Sequence, residues 1–209
     1  NVAIIGETGS GKTSLAKLFM EFYSPDKGHI YVDGAELQNF EVQEIRKAVV
    51  YVSQEDFLFT ASVRENLKMG NEEISDEEMI EISRKMGVHQ FVSKMEREYD
   101  SVLEERGKNL SKGQRQKLSL TRAILRHPKI LILDEATSNM DSISEREILN
   151  YIKGIRDITL ILISHRINVI ADSDCIYVLQ KGNIVARGTD EQLKEQCELY
   201  RQLYGEEEK

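Results

Sequence analysis

The eight residues GETGSGKT at 6–13 could hold a chain of phosphates. They fit the pattern G-x-x-x-x-G-K-S/T. They also follow the apolar run VAIIG and open a helical pattern, which is the context the pattern requires. Gly6, Gly9 and Gly11 let the backbone wrap closely enough to turn its N–H groups onto phosphate oxygens. A helix beginning near Lys12 adds the positive end of its dipole. Lys12 can reach the β- and γ-phosphates, and the Thr13 hydroxyl can ligate Mg²⁺. The intervening and following residues, Glu7, Thr8, Ser10 and Ser14, belong to the same nucleotide-binding stretch.

ILILDE at 130–135 supplies two acids at the end of an unbroken apolar run. In a parallel sheet, polar residues at the carboxyl ends of the strands surround the ligand crevice. Asp134 would face the same Mg²⁺, directly or through a water, and Glu135 could orient and deprotonate an attacking water. Gln54 and His165 end two further strand patterns, AVVYVSQ and ILISH. Taken singly, each is a polar residue where a strand meets water. Beside a phosphate loop, His165 could donate to the γ-phosphate, and Gln54 could contact Mg²⁺ or the attacking water.

Residues 109–119 read NLSKGQRQKLS. Ser111 and Gln114 form an S-x-x-Q capping box, which accounts for the serine and the glutamine but not for Gly113. A helix start with a serine hydroxyl and a glycine is also an anion site. In a monomer that already has one phosphate cradle, this second site is redundant. Two copies placed head-to-tail about a twofold axis remove the redundancy, each helix start covering the other copy's γ-phosphate.

These groups must be carried by an α/β framework. In KTSLAKLFMEFY, Leu15, Leu18, Phe19 and Phe22 recur at helical spacing and predict one buried face, with Pro25 and Gly28 as the stop. HIYVDG and AVVYVSQ read as strands. Residues 62–106 hold no strand pattern and are rich in charge. There SDEE at 75–78 predicts a capping box of Ser75 with Glu78, a helix buries Met79, Ile82 and Met86, and HQFVSKMEREY predicts another helix. A helix from about 112 to His127 ends at Pro128. SISE at 142–145 predicts a further cap, for a helix with Ile148, Leu149 and Ile152 inward and Gly154 at its end. ITLILISH is a buried strand. CIYVLQKGNIVARG is a hairpin turning at Lys181-Gly182, followed by a charged helix and a frayed GEEEK tail.

The chain has 209 residues, 40% apolar and 31% charged, with a net charge of −8. That is the size and composition of one globular α/β domain. The acidic balance and the absence of a long basic run argue against nucleic acid as a partner. Apolar stretches such as ILIL at 130–133 are far short of a bilayer span. Cys175 and Cys197 fit no metal spacing and suggest a reducing, cytoplasmic setting. The abrupt opening on NVAIIG suggests a piece of something longer.

The sequence resembles the nucleotide-binding domain of an ATP-binding cassette (ABC) transporter along essentially its whole length. GETGSGKT resembles the Walker A motif, ILILDE the Walker B motif, Gln54 the Q-loop glutamine and His165 the switch histidine. LSKGQ at 110–114 resembles the signature motif, and SNMD at 138–141, ending in Asp141, the D-loop at the dimer interface. LEERG at 103–107 and FLFTASVRENL at 57–67 resemble exporter-type members, and Asn139 with LEERG leans toward peptide and bacteriocin exporters.

The resemblance implies a P-loop NTPase (RecA-like) core with a mostly parallel sheet and an inserted α-helical subdomain. Residues 1–61 and 115–209 would form the α/β core and 62–114 the helical subdomain of a single ABC ATPase domain. The family's N-terminal antiparallel β-subdomain, with its adenine-stacking aromatic, is missing. ATP and Mg²⁺ are the implied ligands. The nucleotide would contact 6–14 in one copy and Ser111, Gly113, Gln114 and Asp141 of a second nucleotide-binding domain, identical or not. Lys12, Gln54, Glu135 and His165 would carry catalysis, and Thr13, Gln54 and Asp134 would hold the metal. The other implied partner is the transporter's transmembrane domain, at the cytoplasmic face of a membrane. Lys112 stands where the family usually has glycine, and Met140 where it has leucine. Competing readings are a soluble ABC ATPase, which would carry long coiled coils or a second cassette, and a catalytically silent regulator, which the presence of Glu135 and His165 opposes.

Overall fold

In the computed structural model, which describes residues 1–54 and 57–207, the elements follow in this order. β1 (Val2–Ile5), α1 (Lys12–Phe19), β2 (Tyr31–Val32), β3 (Ala35–Glu36), α2 (Val42–Ala48) and β4 (Val49–Val52) come first. α3 (Val63–Lys68), α4 (Asp76–Lys85), α5 (His89–Val92) and α6 (Lys112–Leu125) follow. Then come β5 (Ile130–Asp134), α7 (Ser142–Lys153), β6 (Thr159–Ile163), α8 (Ile167–Ile170), β7 (Cys175–Gln180), β8 (Asn183–Gly188), α9 (Asp190–Gln196) and α10 (Glu198–Glu207).

The chain divides into two compact units. The first comprises Asn1–Tyr51, Lys129–Glu135 and Thr159–Lys209. Its sheet has the order β4-β5-β6-β1-β7-β8. β1 lies parallel between β6 and β7, β5 is parallel to β6, and only β8 is shown running against its neighbour, β7. This is a mostly parallel α/β sheet. The unbroken apolar runs of β1, β5 and β6 are what burial on both faces demands. Ile4, Ile132, Ile163 and Leu179 from the sheet pack with Ala16 of α1, with Met20 just past its end, and with Ile45 of α2. Each of these isoleucine, leucine and methionine side chains gains roughly 1.5–3 kcal/mol from full burial.

Several local expectations are corrected here. α1 stops at Phe19, and Glu21 takes a left-handed φ of 51°. Ala16 is its buried apolar residue and Met20, the residue that caps its end, is buried too; Leu15 and Phe19 pack half-buried beside them, and Phe22 lies beyond the helix, exposed. HIYVDG contributes only the two residues of β2, paired with β3 in a separate ribbon. The turn at Lys181-Gly182, both residues at positive φ, is as expected. α10 continues through Glu207 instead of fraying at Gly205, and residues 208–209 of the expected tail lie outside the described residues.

The second unit comprises Val52–Pro128 and Ala136–Ile158. It is helical, with Val63, Leu67, Met79, Met86, Leu118, Leu120, Leu125 and Ile152 buried. Ser75 caps α4 by accepting the Glu78 N–H, but Glu78 does not return the bond: its carboxylate meets His127, 2.9 Å away. The cap of α7 is Asp141 in place of Ser142, with its carboxylate accepting the Ser144 N–H. HQFVSKMEREY forms only the short α5 and a 3₁₀ turn at Glu98–Asp100. Among the described residues no helix is long and apolar enough to cross a membrane.

Candidate functional site

β1 delivers the chain to Gly6 and α1 leaves at Lys12, with the loop of 6–11 between them. Gly6 has a packing reason as well as a conformational one: a Cβ there would stand 2.2 Å from the carbonyl oxygen of Leu179 on β7. Gly9 (φ 82°) and Gly11 (φ 103°) adopt the left-handed conformation that lets the loop curl back. From the β7–β8 turn, the Gly182 N–H donates to the carbonyl of Ser10 at 2.9 Å and pins the loop from the side.

Gly11 caps α1 without any side-chain hydrogen bond. The first-turn N–H groups of Lys12, Thr13 and Ser14 therefore have no partner inside their own helix and remain available to an anion. The Ser10 hydroxyl is buried in the loop with no hydrogen-bond partner, a second polar group awaiting one. Lys12 folds across the loop, its Nζ donating to the carbonyls of Gly6 (2.6 Å) and Glu7 (2.9 Å). Burial lowers its pKa, and the charges of Glu135 and Asp134 act in the opposite direction.

The acid pair lies at the end of β5 in the same unit. The Thr13 hydroxyl donates to Asp134 Oδ2 at 2.7 Å, and the Tyr51 hydroxyl donates to the same oxygen at 2.8 Å. Burial, followed by that bond, pushes the Tyr51 phenol up from its ordinary range. Glu135 has φ 53° and donates its N–H to Ile163 of β6, so the chain turns sharply as it leaves the strand. Left-handed backbone at a non-glycine residue costs of order 1 kcal/mol or more and clusters at functional sites. Its carboxylate lies 3.1 Å from Nδ1 of His165.

Among the described residues no group of three or more His, Cys, Asp or Glu side chains forms a cation cage. What the first unit offers instead is a hydroxyl and a buried carboxylate in contact beside a phosphate loop. This hard oxygen donor set fits Mg²⁺, which is commonly bound by one or two carboxylates plus phosphates.

The remaining candidates fall in the second unit. Gln54 is exposed, two residues past the end of β4. Ser111 and Gln114 form the expected capping box in full: the serine hydroxyl accepts the Gln114 N–H, and the glutamine side chain accepts the Ser111 N–H. The box uses the serine oxygen as acceptor and leaves its proton free. Gly113 has a reason that the sequence does not disclose, since a Cβ there would stand 3.2 Å from the Asn139 carbonyl. Asp141 spends its carboxylate on capping α7, which holds its pKa below the usual range. A cavity of about 800 Å³ in this unit is lined by Arg106, Lys108, Lys112 and Arg115 together with Gln54 and Asn139.

Two residues escape sequence reasoning. Tyr51, the third residue of β4, reaches Asp134 across 83 positions of chain. Gln116 is fully buried on α6, where its amide accepts the Asn139 N–H at 3.0 Å. A signal for Gln116 did exist. It shares helical spacing with Leu120, Ala123 and Ile124, so a glutamine stands on a core-facing stripe.

A family model described as "ABC transporter" matches residues 1–138. The "Heterocyst differentiation ATP-binding protein HepA" of Nostoc sp. is 43% identical over 93% of this chain and 32% of its own length. The "Lactococcin-G-processing and transport ATP-binding protein LagD" of Lactococcus lactis is 40% identical over 97% of the chain and 29% of its own. The chain thus spans about a third of these curated relatives. A solved bacterial Atm1-family ABC exporter with ATP bound superposes with a TM-score of 0.94 at 32% identity, covering 99% of this chain and 36% of that one.

Proposed function

Because the chain belongs to the ABC transporter family, we propose that it binds and hydrolyses MgATP, closing as a dimer, to power export of a substrate across a membrane. The observation that carries this reading is the contact of Thr13 with Asp134, 121 residues apart, beside the facing pair Glu135 and His165. It joins a phosphate cradle to an acid pair in the arrangement that phosphoryl transfer to water needs.

In this mechanism the open N–H groups of the first turn of α1, with the Ser10 hydroxyl, bind the phosphates of ATP. Lys12 exchanges its loop carbonyls for β- and γ-phosphate oxygens. Thr13 and Asp134 would hold Mg²⁺, which when bound would neutralise charge developing on the phosphates; Gln54 has the metal role that the resemblance alone gives it. Glu135, fixed by its turn and by His165, orients the attacking water and takes its proton. His165 steadies that carboxylate and donates toward the γ-phosphate.

Ser111, with its free hydroxyl proton, and Gly113, Gln114 and Asp141 serve the nucleotide of the second copy. The cavity lined by four cations beside Ser111 suits this polyanionic neighbour. Closure on ATP and release after hydrolysis would drive a transmembrane domain from the cytoplasmic face of the membrane.

The test is Glu135→Gln in the full-length transporter. It should retain ATP binding and accumulate as a closed, ATP-bound dimer, with hydrolysis down about 100-fold or more through loss of the base. Hydrolysis at the parent rate would refute the assignment of Glu135.

A further inference from the structure

The turn after the acid pair is tied to α6 by contacts that none of the roles above uses. Gln116 is fully buried, yet both ends of its amide are occupied. Its Oε1 accepts the Asn139 N–H at 3.0 Å, and its Nε2 faces the Ser138 hydroxyl at 3.5 Å. One turn earlier on the same helix, Gly113 lets the Asn139 carbonyl come so near that an added Cβ would stand 3.2 Å from it, a contact tight enough to push the turn by a few tenths of an ångström. One residue later, Lys117 donates to the Ser144 hydroxyl at 2.9 Å, on the helix that Asp141 caps. Residues 113, 116 and 117 thus grip 138–144 at three points, one steric and two polar.

We propose that Gln116 is a positioning residue that fixes the 138–141 turn to the start of α6, so that Ser111 and Asp141 meet the second copy's nucleotide as one rigid surface. The inference rests on the dimeric reading given above. Its physical basis is that the buried Gln116 amide supplies the acceptor for the Asn139 N–H at a half-buried contact, so that without it the N–H loses the bond that holds the turn against α6. The Ser138 contact, at the limit of hydrogen-bond length, contributes less. A fully satisfied buried amide specifies one arrangement, whereas an apolar residue of similar size would leave the turn free to shift.

The experiment compares Gln116→Leu with Gln116→Glu in the full-length transporter. Glutamate keeps the acceptor facing Asn139 and leucine removes it. The leucine variant should show at least about tenfold faster hydrogen exchange at the Asn139 amide. Its kcat should fall about tenfold, with ATP affinity in the absence of hydrolysis within about twofold, since the nucleotide's own cradle lies on other elements. The glutamate variant should recover most of both losses. A melting temperature for each variant separates a displaced turn from an unfolded domain.

Unchanged exchange at Asn139 would overturn the proposal. So would faster exchange with parent kcat, or a glutamate variant no better than leucine. Failure of the dimeric reading would show separately. In that case Ser111→Arg, which blocks the presented surface, would hydrolyse ATP at the parent rate.

Discussion

Two helix starts in this protein solve the same problem in opposite ways. α1 begins on Gly11, which offers no side chain, so its first N–H groups have no partner within the helix. α6 begins on Ser111, and a complete capping box satisfies two of its donors internally. A helix start that leaves its donors open costs stability until an anion arrives. One that caps itself is stable alone and can give an anion only what the cap does not use. The difference separates a site that holds phosphate within its own chain from a surface that touches phosphate only when another molecule presents it. α1 also has the buried, unpartnered Ser10 hydroxyl and the Lys12 ammonium drawn over the loop, whereas α6 has a free hydroxyl proton and a rim of cations.

The largest effect that tests this contrast is expected at α1. Lys12→Ala removes the ammonium that bridges the loop and should weaken ATP binding to the isolated domain by about 100-fold. That is roughly the worth of one or two charge-assisted hydrogen bonds at 1.5–3 kcal/mol each. Equilibrium titration with a fluorescent nucleotide measures it. A loss smaller than threefold would mean that the open helix start does not need the ammonium, and the contrast with α6 would narrow to capping alone.

A smaller effect separates the two serines. Ser111→Ala removes a working cap and should cost about 1 kcal/mol of stability. Ser10→Ala removes a hydroxyl that has no partner, so ligand-free stability should stay within about 0.5 kcal/mol. Denaturant midpoints of the two variants without nucleotide check the pair. Equal losses would show that the Ser10 hydroxyl is satisfied in solution. The start of α1 would then be less open than its geometry implies.

Much of this contrast was already readable in the chain. The glycines, Lys12 and Thr13 lie within eight positions, and the Ser111–Gln114 box within four, so local spacing encodes them. β5 and β6 were equally plain, because a strand buried on both faces writes an unbroken apolar run. What escaped has two sources, local competition for a single position and partners far away in sequence. The carboxylate of Asp141 reaches Ser144 and outcompetes Ser142 for the cap of α7, although both fit the pattern. Glu78 meets His127 instead of closing the box with Ser75. Phe22 continued a helical stripe that the backbone had already abandoned at Glu21. Gly113 and Gln116 matter because of Asn139, over twenty residues downstream, which no periodicity can announce.

The smallest expected effect is at Lys112, where a lysine stands in place of the family's usual glycine. As the first residue of α6 it is exposed, and its long side chain can stay in solvent while the backbone follows the turn set by Ser111. Its charge opposes the helix dipole at this end, favours a nearby phosphate, and adds to the repulsion among Arg106, Lys108 and Arg115 around the same cavity. Glycine would relieve the repulsion and the dipole term, but it would lose the attraction and some helix propensity. These contributions have opposite signs and similar size. Lys112→Gly in the full-length transporter should therefore change the maximal ATPase rate by less than about tenfold, or roughly 1.4 kcal/mol in barrier. Steady-state hydrolysis across a salt series measures it, with the difference shrinking as salt screens the cavity. A rise of a hundredfold or more on restoring glycine would mean that the native start of α6 barely supports hydrolysis. α6 would then be a capped helix without a phosphate role, and the protein a nucleotide-binding regulator instead of a motor.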